Sequence, residues 1–173
     1  MSAPVAPASP WRRLAAAFYD GLLLLAIWMV TLLASLFVNN LFGLDRNDQV
    51  NSLCLLLAGL AYFGWSWTHG GQTLGMRSWR LRLLRQDGAP LRWPVAALRY
   101  ALMLGSWLAA LAALLLPLLP EAVAATLPGR LEAAGACAAY TLFALLMLLF
   151  DGRRRALYDR LTSTQMVVVS RGD

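Results

Sequence analysis

The sequence predicts an all-α membrane protein: a four-transmembrane-helix bundle with a small cytoplasmic basic hairpin or loop between helices 2 and 3. Three observations carry that expectation. The chain is 60% hydrophobic over 173 residues with a mean hydropathy of +0.58, values that globular domains do not combine. Its apolar residues gather into four runs, at about 14–38, 50–67, 95–119 and 131–150. Its 15 cationic residues are all arginine, and most of them crowd the flanks of those runs on one side.

Residues 1–10, MSAPVAPASP, read as a flexible Pro/Ala/Ser-rich lead, ahead of a membrane domain over 11–169 and a tail at 170–173. Trp11 stands as an interfacial anchor beside Arg12 and Arg13. From Arg13 to Val38 the only charge is Asp20. That is long enough to cross the ~30 Å hydrocarbon core, which takes roughly 20 helical residues. The apolar run exceeds the length of a signal peptide's core and has a carboxylate inside it, so a retained anchor is expected. Such a carboxylate costs about 2.5–3.5 kcal/mol at the bilayer centre and calls for an inward position and a partner. Arg13 precedes it by nearly two turns, about 10 Å along the axis and on the same face. Ala17, Leu24, Ile27, Thr31 and Ser35 continue that stripe, whose small and hydroxylic members suit helix packing in lipid.

A polar loop from Asn39 to Ser52 leads to the second run, where Gly59 and Gly64 offer close helix contact. Tyr62, Trp65 and Trp67 at its far end read as an aromatic belt. Next comes THGGQTLGMR, a Gly-rich turn, and then the strict alternation Trp79-Arg80-Leu81-Arg82-Leu83, which has the period of a strand. Asp87-Gly88 signals a hairpin, weakened by Pro90. Two forms are open: a cationic hairpin with its Leu/Trp face at the interface and its arginines on lipid phosphates, or an unstructured basic loop. The third run is rich in Gly and Ala (Gly105, Ala109, Ala110, Ala112, Ala113), as a packed interior helix would be, and closes on Pro117 and Pro120. The fourth run ends before the tail DGRRRALYDRLTSTQMVVVSRGD, which finishes in the β-branched Val167–Val169.

Four spans put both termini on one side. Thirteen of the 15 arginines fall on that side, leaving Arg46 and Arg130 opposite. The positive-inside rule then makes the termini and the central loop cytoplasmic, and the basic balance needs no nucleic acid to explain it. The expected partner is the bilayer, with anionic lipid at the basic face. Four helices enclose little volume, so a homo-oligomer or a larger membrane partner is also expected. Cys54 and Cys137 lie in or beside apolar runs without metal-type spacing. His69 is the sole histidine and has no nucleophile near it, so neither catalysis nor metal binding is expected. The Gly-Gly-Gln-Thr-x-Gly segment lacks the spacing of a nucleotide-phosphate loop and precedes a strand pattern instead of a helix. No cofactor is expected.

Three segments together resemble the RDD family of membrane proteins, named for one arginine and two aspartates, over roughly 11–169. RRLAAAFYD resembles the family's opening, with Arg13 and Asp20 as its arginine and first aspartate. GGQTLGMRSWRLRLL is similar to its Gly-Gln-Thr-x-Gly segment, carried by Gly71, Gln72, Thr73 and Gly75, with Met-Arg where Lys-Arg is common. RRRALYDRLTST looks like the closing motif, making Asp159 the second aspartate and Thr164 the family's threonine. Tyr158 stands where many relatives have His and Ser163 where Gly is usual, so no proton-shuttling role comes over for that His. The resemblance implies little about activity: the family's role is largely undefined, ligand transport has been suggested, and some relatives are associated with cation/proton exchange.

Each polar residue has two readings. Arg13 and Asp20 form either a structural pair or a poised ion- or proton-binding carboxylate, with Arg99 as another partner for Asp20. Asp159 is either a solvated ion pair or folds back to lock the tail beneath the bundle through Arg77 or Arg13. Two functions remain open: transport, or assistance to transport, of a small ligand or cation in a bacterial inner membrane; and a non-transporting interaction or assembly factor that binds anionic lipid or a partner protein through its basic face.

Overall fold

A computed structural model of the protein describes residues 7–87, 89–152 and 155–169. Four helices are long and apolar enough to cross a membrane, and the molecule is a multi-pass membrane protein. The first, α1 (Pro10–Phe42), starts where proline at its first turn is tolerated, with Ser9 accepting from the Arg12 N–H. It ends at Gly43, whose φ of 62° suits a left-handed cap. Its 33 residues span about 50 Å, well beyond the ~30 Å hydrocarbon thickness. Asp20 is therefore nearer one end of α1 than the middle of a span. α2 (Asp48–His69) is capped by Asn47, which accepts from the Gln49 and Val50 N–H groups. Trp28 donates to the Leu55 carbonyl at 2.9 Å and Ser35 bonds Asn51 at 2.5 Å, fixing α1 against α2.

After α2 come the short helix α3 (Leu74–Ser78) and strand β1 (Leu81–Arg85). The third long helix is α4 (Trp93–Leu115), followed by a 3-10 turn and the short α5 (Glu121–Ala124). α6 (Arg130–Phe150) is the fourth, and α7 (Leu157–Leu161) and strand β2 (Thr164–Val168) follow it. The two strands form an antiparallel sheet in which Leu81 pairs with Val168 and Arg85 with Thr164.

That sheet corrects the expected hairpin. β1 pairs with the tail and not with the segment beyond Asp87; Gly88 lies outside the described residues. Pro90 cannot donate to a ladder, whereas the β-branched run near 167–169 has free N–H groups and the shape strands prefer. Leu81 and Leu83 are buried, so this face points into the protein and not toward lipid. The expected flexible lead is corrected in part as well: Pro7 bridges Val167 and the Ala8 N–H bonds the Met166 carbonyl at 3.0 Å. Residues 1–6, Arg153, Arg154 and 170–173 lie outside the described residues.

The core sits at the end where α1 begins and α2 ends, under the sheet. Leu24, Phe63, Trp67, Met76, Leu81, Leu83, Tyr100 and Met103 pack there, while Leu25, Leu33, Phe37 and Leu146 face outward, as lipid-contacting residues do. Of the expected aromatic belt, Trp65 is exposed, but Trp67 is core and Tyr62 is half-buried. Gly59 and Gly64 serve as notches on α2: a Cβ at Gly59 would meet the Tyr100 hydroxyl, and one at Gly64 would lie 2.5 Å from the Trp93 ring. The small residues of α4 do not all work that way. Gly105 has nothing within 4 Å, and the core residues of α4 are Ala96, Arg99, Tyr100 and Met103.

The register is directly checkable. In a chain whose Cys54 and Cys137 are replaced by serine, Leu84→Cys with Gln165→Cys should form a disulfide under mild oxidant, because directly opposed strand positions fall within disulfide reach. A missing mobility shift on a non-reducing gel would contradict the β1–β2 pairing.

Candidate functional site

The charged residues named by the sequence come together at the sheet end of the bundle, with Arg13, one of the two partners read for Asp159, on that carboxylate and Arg99 beside it. Asp159, on α7, is fully buried and lies between two guanidinium groups. Arg13 of α1 ion-pairs with its Oδ2, and the Nη1 of Arg99 on α4 donates to its Oδ1 at 2.5 Å. The Ala156 N–H adds a third donor at 3.0 Å. Arg99 also donates to the Thr164 hydroxyl at 2.7 Å, which ties the first residue of β2 to the same cluster. Its guanidinium is sandwiched between the rings of Trp67 and Tyr158, 5.1 Å and 4.9 Å from their centroids. This is cation–π geometry, and the face of Tyr158 supplies one side of it.

The expected Arg13–Asp20 pair is thereby replaced. Arg13 and Arg99, each proposed as a partner for Asp20, both bind Asp159. Arg77, proposed for Asp159, is exposed. Asp20 does point inward, but its donors are neutral. The Thr73 hydroxyl donates to Oδ2 at 2.5 Å, and the Tyr62 hydroxyl and the Gly75 N–H donate to Oδ1 at 2.9 Å and 3.0 Å. Helical spacing brought Arg13 and Asp20 to one face, but each found other partners: the Asp159 carboxylate for Arg13 and three neutral donors for Asp20.

The Gly-Gln-Thr-x-Gly segment now has a physical account. The Gly71 carbonyl accepts from the Leu83 N–H at 2.7 Å, and the Gln72 side chain donates to the Leu81 carbonyl at 2.8 Å, so both tie the segment to β1. Thr73 caps α3 by accepting from the Met76 N–H at 3.1 Å while donating to Asp20. At Gly75 a Cβ would meet the Ala16 carbonyl and lie 2.8 Å from the Asp20 carboxylate, so only glycine lets α3 approach α1 this closely. Tyr62, Trp67 and Tyr158 were not identified as site residues from the sequence. Nothing in an aromatic residue at a helix end distinguishes a belt from a ring packed on a distant arginine.

Burial alone would raise the pKa of Asp159; the charges of Arg99 and Arg13, with their hydrogen bonds, outweigh it and hold the carboxyl below its ordinary value. At the end of α6, Asp151 is held well below the usual carboxylate range by hydrogen bonds from Arg155 and the charges of Arg155 and Arg160. Between Asp20, Arg13 and Arg99 lies a cavity of about 40 Å³, also lined by Met76, Met103 and Trp107. It has room for a water molecule. Among the described residues no three His, Cys, Asp or Glu side chains gather as a metal site would require.

Fold and site define a multi-pass membrane protein in which a buried Arg–Asp–Arg cluster fastens a two-stranded sheet to one end of a helical bundle. The chain matches the RDD family model over residues 7–163, and it belongs to the RDD family. No curated protein and no solved structure matches it.

Two outcomes follow from this geometry. Asp159→Asn strands two buried guanidinium groups and should cost about 3–5 kcal/mol, the usual penalty for breaking a buried ion pair from one side; thermal melting in detergent measures it. A folded pKa below the unfolded one means stabilisation that is present above the unfolded value and lost as pH falls through the folded value. The wild-type melting temperature should therefore hold from neutral pH down to about 5 and fall below about 4, a dependence Asp159→Asn should weaken. Separately, Ser163 has a φ of 51°, in the region where glycine is unstrained, so Ser163→Gly should raise stability by up to about 1 kcal/mol. A lowered melting temperature for that variant would contradict this reading.

Proposed function

We propose that this RDD protein is a non-transporting interaction module of a bacterial inner membrane, with both termini cytoplasmic and its basic face on anionic lipid and a protein partner. The observation carrying this reading is that the two carboxylates buried among the described residues, Asp20 and Asp159, are already occupied by the protein's own donors. Asp20 accepts from three groups, and Asp159 accepts from two arginines and an N–H. A carboxylate so engaged acts as a fastening, and a cargo ion would have to displace those donors. The surface agrees with the lipid assignment. Arg12, Arg77, Arg80, Arg82, Arg92 and Arg160 are exposed at the sheet end, along with the rings of Trp11, Trp65, Trp79 and Trp93. Tryptophan marks membrane interfaces, and each cation near an anionic surface contributes about 1 kcal/mol of attraction. The module has no catalytic role in this reading.

One observation favours the second reading, transport or assistance to transport of a small ligand or cation. A cleft of about 260 Å³ opens between α1, α4 and α6, with the Ser106 and Tyr140 hydroxyls bonded at 2.8 Å in its wall. So small a chain would need a second copy or a larger partner to turn that cleft into a pathway.

Proteoliposomes separate the two. The module reading expects no ion- or pH-driven flux from the protein, and a loss of co-purified anionic lipid and partner when Arg77, Arg80 and Arg92 are changed to Gln. Ion-coupled flux that disappears in Asp20→Asn would establish transport instead.

A further inference from the structure

We infer that the pocket beside the Gly70–Gly71 turn binds one phosphate-bearing headgroup between Arg82 and His69. The inference deepens the lipid-facing reading above and rests on it for the pocket's depth in the membrane. The pocket, about 300 Å³, lies between the end of α2, the glycine turn, β1 and the segment 89–91. Among the described residues that line it there is no carboxylate.

Arg82 is exposed on β1 and, among the described residues, neither ion-pairs nor donates a hydrogen bond. Its side chain lies across Gly71: a Cβ there would stand 3.4 Å from its Cγ and 3.6 Å from its Nε, and 2.8 Å from the Leu83 carbonyl. With φ at 67°, Gly71 is the residue that keeps the turn open for the guanidinium. On the other wall the His69 ring is held in one plane, stacked on Trp65 at 3.7 Å and 15°. Its Nδ1 contacts the Thr68 hydroxyl at 3.0 Å and the Trp65 carbonyl at 3.3 Å, so Nε2 is the nitrogen left to face a ligand. The nearby Asp87 is engaged by Arg85 at 2.5 Å and does not compete for Arg82.

An unpaired guanidinium and a fixed imidazole across a carboxylate-free pocket select an anion with several acceptor oxygens, for which arginine's fork is suited. Leu84, Pro90 and Leu91 add an apolar wall that a bare inorganic ion would leave unused and a glycerol backbone would cover. Trp65, exposed beside the pocket, sets it at headgroup level. Phosphate is the shared chemistry, and its source is an anionic phospholipid or a soluble phosphomonoester.

Native mass spectrometry of the full chain in detergent, titrated with dioleoyl phosphatidylglycerol, tests the first source. Calorimetry with glycerol 3-phosphate tests the second. One molecule per chain is expected, retained in about 0.5 M salt where diffuse surface attraction is screened. Arg82→Gln should weaken binding about tenfold, as loss of a charged hydrogen-bonding partner does, Arg82→Lys should weaken it less, and Arg46→Gln, at the opposite end of the bundle beside Asp48, should leave it unchanged. Binding of either probe with that pattern supports the pocket. Equal binding by wild type and Arg82→Gln, equal loss in Arg82→Gln and Arg46→Gln, or no saturable binding of either probe overturns it. Glycerol 3-phosphate binding without any anionic-lipid preference in vesicles would sink the lipid-facing reading and leave the pocket standing.

Discussion

A single carboxylate shared by two guanidinium groups, out of reach of water, holds the sheet end of this molecule together. Burying three charges is expensive, and their attraction compensates only when geometry is good and the remaining polar atoms are occupied. Asp159 meets both conditions for its own atoms, since each oxygen has its own arginine and the Ala156 N–H takes a further lone pair; Arg99 gives another N–H to Thr164, while its Nε is buried without a hydrogen-bond partner among the described residues. Because Thr164 opens β2, the ion cluster and the sheet register require each other. A shifted strand would remove an acceptor from Arg99, and a displaced Asp159 would leave β2 without its anchor.

α1 does the same for the central loop. Asp20 uses one carboxylate to hold Thr73, the start of α3 and Tyr62 of α2. Two segments far apart in the chain are thus tied to one helix, the tail through Arg13 and the loop through Asp20. Among the described residues the buried charges balance, two positive and two negative, but as a cluster of three and a separately bonded carboxylate, with a small cavity between. A simple Arg–Asp pair along α1 would have used its charges within one helix and fastened nothing.

Much of this was legible in the residues. Long apolar runs set the four membrane helices, since length and hydropathy decide what can cross a bilayer, and a lone Asp in such a run had to face inward. The alternation at 79–83 announced a strand, whereas the β-branched run at 167–169 was visible without being read as its partner. Which strands meet was less accessible: Asp87-Gly88 is a strong local hairpin signal, and it was overridden by a partner from the far end of the chain. The pairing of charges showed only in part for a similar reason: Arg13 was one of two partners read for Asp159, whereas Arg99 was read as a partner for Asp20. Helical periodicity reports neighbours on one helix, whereas Arg13, Arg99 and Asp159 meet only after three elements pack. Tyr62 and Trp67 were obscured because an aromatic at a helix end serves equally as a belt or as packing against a distant arginine.

The sheet joins Pro7 and Ala8, the loop between α2 and α4, and residues that follow all four long helices. Bringing such distant segments together costs loop-closure entropy before any contact rewards it. During synthesis, then, α1 and α4 must wait in or beside the membrane with Arg13 and Arg99 lacking their carboxylate until the chain has reached Asp159. That interval is when water, lipid phosphate or the insertion machinery must shelter the two arginines, which makes completion of the tail the event that seals the protein.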